Sequence, residues 1–109
     1  MDNSPPSSLL NLANQVFDMH KKLAIIPEAK KVDRNFRRIQ QSFEEMGMFI
    51  HNPIGESYDE TRTDCEATIS GAGTERLVIT EVLKPMIRLR EKGFDRIVQR
   101  AVVIVESKS

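Results

Sequence analysis

Ala29, Val32, Phe36, Ile39, Phe43 and Met46 are spaced by three, four, three, four and three residues. That spacing is the apolar seam of a heptad helix, and it constrains the fold more than any other feature of the chain. A helix so patterned must have its stripe covered. Lys30, Lys31, Arg34, Arg37 and Arg38 crowd its early half, and Glu44 and Glu45 its end. Both groups oppose the helix dipole, so packing rather than intrinsic propensity must hold the helix. Gly47 suits a left-handed C-cap.

Upstream, Leu9, Leu12, Ala13, Val16, Phe17, His20, Leu23 and Ala24 recur at helical spacing, which predicts a helix from about Ser8 to Ala24. Residues 1–8 read as a polar, proline-containing leader without a secretory pattern. The link near Pro27 is short enough for an antiparallel hairpin. Two such hairpins make a four-helix bundle, so a homodimer through Val32, Phe36, Ile39 and Phe43 is the economical way to bury the seam.

Beyond Gly47 the period changes. Leu77, Ile79, Val82 and Leu83 lie in a β-branched segment, Ile87 and Leu89 alternate with Arg88 and Arg90, and 96–105 is rich in valine and isoleucine. Gly71, Gly73 and Gly93 mark turns, the first two a hairpin, and Pro85 breaks or bends an edge. The expected fold is α+β: a leader over 1–8, a helical dimerisation element over 9–50 and a small antiparallel β domain over 51–109.

Little in the chain points to chemistry. Sixteen basic and sixteen acidic residues cancel, which argues against coating nucleic acid or a membrane. His20, His51 and Cys65 are scattered, without metal-ligand spacing. Cys65 is the only cysteine, as expected of a cytoplasmic protein. Asp59, Glu60, Asp64 and Glu66 read as a solvated loop rather than a catalytic carboxylate pair, because no apolar cluster surrounds them. The glycines of 71–73 lack the lysine of a phosphate loop. The basic stripe on the second helix lacks a stacking platform for RNA. These readings predict no enzyme, cofactor or metal, and a protein that works by binding.

The order of several short motifs resembles the GrpE family, nucleotide exchange factors of DnaK-type chaperones. Gly47-Met48 and then Pro53-Ile54-Gly55-Glu56-Ser57-Tyr58-Asp59 carry the likeness, with Leu9-Leu10 upstream. Glu81-Val82-Leu83-Lys84, Arg96-Ile97-Val98 and Ala101-Val102-Val103-Ile104-Val105 continue it downstream. The resemblance implies a co-chaperone that binds the chaperone's ATPase domain and speeds ADP release, with Arg96, Val105 and Val82 as contacts. It also implies that Gly55 permits a tight backbone, Tyr58 anchors a small core and Asp59 caps the next turn. Asp18, Lys21, Lys31, Pro85 and Met86 depart from the family's pattern. They motivate an alternative, an interaction adaptor without exchange activity.

Overall fold

The computed structural model describes residues 4–108. The first helix, α1, spans Ser7–Leu23, and a 3-10 turn, Pro27–Val32, leads into α2, Asp33–Glu45. Pro27 opens that turn, where its missing N–H costs nothing. Seven strands follow: β1 Met48–His51, β2 Ser57–Tyr58, β3 Cys65–Ser70, β4 Leu77–Lys84, β5 Met86–Glu91, β6 Phe94–Gln99 and β7 Ala101–Ser107. They form a three-stranded sheet of order β1-β5-β6 and a four-stranded sheet of order β2-β4-β7-β3.

This mostly β architecture corrects the expected α+β fold with a helix-hairpin bundle. The two helices lie against the chain's own strands. Phe36 and Phe43 of the seam are buried, and Val32 and Ile39 are half-buried. Phe43 sits with Ala13, Met48, Ile87 and Leu89 in a core beneath the three-stranded sheet. Phe36 and Phe43 are thus covered within the chain, whereas Met46 at the end of the stripe is 54 % exposed.

A long bent hairpin organises both sheets. β4 runs almost directly into β5, and β6 into β7, with only Pro85 and Arg100 between them. The β5–β6 half belongs to one sheet and the β4–β7 half to the other. Pro85 has no N–H for a ladder, so it fits the point where the chain leaves one sheet. The valine- and isoleucine-rich segment 96–105 is divided between β6 and β7 by Arg100. Its guanidinium donates to the Thr63 and Cys65 carbonyls and to Glu66, tying the bend to β3.

The sheet unit is not wholly antiparallel. β3 pairs in parallel with β7, Cys65 opposite Ala101 and Ile69 opposite Val105. The loop through Gly71 and Gly73 therefore crosses to β4 on the far side of β7 and is not a hairpin. A Cβ on Gly73 would fall 2.4 Å from that of Ser107, so glycine permits this close crossing.

The second core lies on the inner face of the four-stranded sheet: Cys65, Leu77, Ile79, Val82, Ala101, Val103 and Val105, closed by Met86, with Phe17, Tyr58 and Ile97 against it. An amide pair fixes α1 over the bend. Asn14 and Gln99 exchange hydrogen bonds of 2.9 and 2.8 Å, and Gln99 also donates to the Pro85 carbonyl at 2.8 Å. At the end of α1, Lys21 Nζ donates to the Val82 carbonyl at 3.0 Å.

Candidate functional site

Ala13, Val16, Phe17 and His20 share one face of α1 by their spacing. Opposite them stand Phe36, Ile39 and Phe43 of α2, with Ile50 of β1. Between these groups is an open crevice of about 80 Å³, with Arg37 and Gln40 completing its lining. His20 links the helices across one end. Its ring stacks on Phe36 with centroids 4.4 Å apart, and its Nε2 lies 3.5 Å from Asp33 Oδ1. The wall is apolar and the rim carries a guanidinium and an amide. Such a crevice can seat a small aliphatic group beside a hydrogen-bond acceptor. The sequence reading assigned the seam to a dimer interface and did not expect a crevice beside it. His20 was placed on the apolar face of the first helix, but its meeting with Phe36 and Asp33 across the two helices carries no local sequence signal.

A second polar cluster occupies the stretch from His51 to Glu66. Glu56 receives His51 Nε2 at 2.6 Å and Arg62 at 3.1 Å. Arg62 bonds Asp64 with two nitrogens, at 2.9 and 3.1 Å, and donates to the Ser57 carbonyl at 2.9 Å. This bonding holds the Asp64 carboxyl below the usual carboxylate range, against a burial that pushes it up. Asp59 accepts from the Thr61 hydroxyl and backbone, which likewise lowers its pKa. Both shifts favour ionised acceptors, the opposite of what a general acid needs. The solvated-loop reading thus holds for exposed Asp59 and Glu60, whereas Asp64 belongs to a half-buried ion network and Glu66 lies on strand β3, paired with Arg100. Burial raises the thiol pKa of adjacent Cys65, so that sulfur is held protonated.

Gly55 has a φ of +83°, and Tyr58 leans on the core of the four-stranded sheet. The three residues expected at a partner surface do not form one. Val82 and Val105 are 2 % and 0 % exposed, inside that core. Only Arg96 is exposed, and it donates to Ser4 Oγ at 3.1 Å. Of the pattern departures, Asp18 pairs with Lys22 in the same helix and Pro85 and Met86 are buried. Among the described residues no group of three or more histidine, cysteine or acidic side chains could hold a metal ion. No helix among them is long and apolar enough to cross a membrane.

Residues 2–76 match the family described as resuscitation-promoting factor Rpf1, C-terminal, and the chain belongs to that family. No curated protein and no solved structure matches it. Membership replaces the GrpE resemblance and with it the co-chaperone, exchange-factor and chaperone-adaptor readings. The motifs behind that resemblance were short glycine, proline and aromatic patterns, which any chain needs when it passes from a helix into strands. The matched span holds both helices and every residue of the crevice.

Proposed function

We propose that this member of the resuscitation-promoting factor Rpf1 C-terminal family is a recognition module that breaks no bond itself, and that the crevice between α1, α2 and β1 is its binding element. The observation that carries this reading is the crevice's size and lining. About 80 Å³ matches one aliphatic side chain and falls well short of the roughly 300 Å³ at which enclosing pockets for small-molecule ligands begin. The exposed Arg37 and Gln40 on its rim suit a carboxylate or backbone carbonyl beside that side chain. The ligand class is a protein or peptide segment presenting an aliphatic residue next to an acidic one.

The family's name, resuscitation-promoting factor, supports placing such recognition in the promotion of resuscitation. Two variants test the link. Val16→Phe fills the crevice from a half-buried position, and Arg37→Glu reverses its rim charge. Both are expected to keep the fold by circular dichroism. Both are expected to lose binding to peptides of the stated type, and to lose stimulation of regrowth when added to non-growing bacterial cells. Release of soluble fragments from bacterial cell walls by the wild type, or full activity of Val16→Phe, would overturn the reading.

A further inference from the structure

The zero total charge conceals a strong segregation. Residues 21–38 carry seven basic side chains against Glu28 and Asp33 alone, so the rest of the chain is correspondingly acidic. Lys22 pairs with Asp18, and Lys21 with the Val82 carbonyl. Lys30, Lys31, Arg34, Arg37 and Arg38 are all exposed, and none makes an ion pair or side-chain hydrogen bond among the described residues. Within this basic segment, at the turn between α1 and the 3-10 helix, Ile25 is 84 % exposed and Ile26 is 45 % exposed.

Turns favour polar residues and glycine, so two adjacent isoleucines there are costly in water. Ile25 also makes no use of either core. A side chain exposed to that degree protrudes, and a protruding aliphatic pair needs a medium it can enter. Lysines on both sides of the pair can lay their stems along an apolar boundary while keeping their ammonium groups in a polar layer. Insertion and charge together match the interface of an anionic bilayer, where shallow apolar contact and headgroup attraction add. An acidic protein could satisfy the charges, but it would have to offer a pocket for Ile25.

We infer that the turn at Ile25 and Ile26, with the exposed Lys22, Lys30 and Lys31 around it, is a docking tip for a membrane surface bearing anionic phospholipid. The contact is peripheral, with the helices lying outside the hydrocarbon. This reverses the expectation drawn from total charge, and it does not depend on the crevice.

The chain has no tryptophan, so Ile25→Trp places a single indole reporter at the tip. With vesicles of phosphatidylcholine containing about one-third phosphatidylglycerol, its emission should shift to the blue, and the shift should fade as salt rises. Pure phosphatidylcholine vesicles should leave it unchanged. In co-sedimentation of the otherwise native chain, Ile25→Asp and, separately, Lys30→Glu with Lys31→Glu should each weaken association by about ten-fold or more. These positions are exposed, and a thermal melt equal to wild type would confirm that the fold is kept. An unshifted indole, equal binding to both vesicle types, or undiminished binding by Ile25→Asp would overturn the inference. The last result would leave a purely electrostatic patch. Val16→Phe should bind vesicles like wild type, which separates failure here from failure of the crevice reading.

Discussion

Gly47 has a φ of +85°, and a Cβ built on it would meet the Arg90 carbonyl oxygen at 2.6 Å. Its own carbonyl accepts from Arg90 N at 2.7 Å, so the helix end is clamped to β5. Gly47→Ala should cost about 1–2 kcal/mol for the left-handed backbone alone, with more from the contact. Urea denaturation checks this, and an unchanged midpoint would show that the clamp relaxes freely. Arg62 and Asp64 give a pH dependence. The folded carboxyl has the lower pKa. Its stabilisation is therefore complete above the unfolded value, about 3.9, and is lost as pH falls through the folded value. Asp64→Asn should be less stable at neutral pH, with a flatter loss of stability in acid. Arg62→Ala should cost about 1–3 kcal/mol, because it unpairs Asp64 and the Ser57 carbonyl at once, and Arg62→Lys should recover only part. Stability curves from pH 7 down to about pH 2 separate these cases.

Each element is held by a few contacts that its own sequence does not announce. The Asn14–Gln99 pair joins residues far apart in the chain, and through Gln99 it reaches the Pro85 carbonyl at the bend. Asn14→Ala should cost about 1 kcal/mol and raise hydrogen exchange along α1 before the sheets open. Protection lost evenly over the whole chain would show that α1 is not a separate unit of opening. The extent of α1 was legible in its apolar spacing, and so was the helix ended by Gly47. What covers them was not, because a stripe spaced by three and four is the same whether it faces a second copy or the chain's own strands. The strand β3 was legible but missed. Cys65, Ala67 and Ile69 alternate with Glu66, Thr68 and Ser70, the period of a half-buried strand. Its acidic surroundings drew attention to charge instead. Its parallel pairing with β7 could not be read locally, since the partner lies on the far side of the bent hairpin. The crevice was illegible for the same reason, being made only when His20 meets Phe36 and Asp33 across two helices.

For the molecule as a whole, the decisive question is what the heptad stripe faces. Phe43 is 3 % exposed within the chain's own core, among Ala13, Met48, Ile87 and Leu89. In a dimeric bundle, Phe43→Asp would separate two copies and leave each folded. Here the same change puts an unpaired carboxylate against both helices and the three-stranded sheet. Truncating a buried phenylalanine costs about 3–5 kcal/mol, and an unpaired buried charge adds several more. A domain of this size holds only about 5–15 kcal/mol in total. Phe43→Asp should therefore unfold the chain, seen as loss of the strand signal in circular dichroism. Ile39→Asp, at a half-buried position of the same stripe, should lower the melting temperature and leave the fold. Sedimentation of wild type and both variants over a range of concentrations completes the test. A wild type that dissociates on dilution into folded monomers, together with a folded monomeric Phe43→Asp, would show that the stripe lies between copies and that the core assigned to Phe43 is wrong.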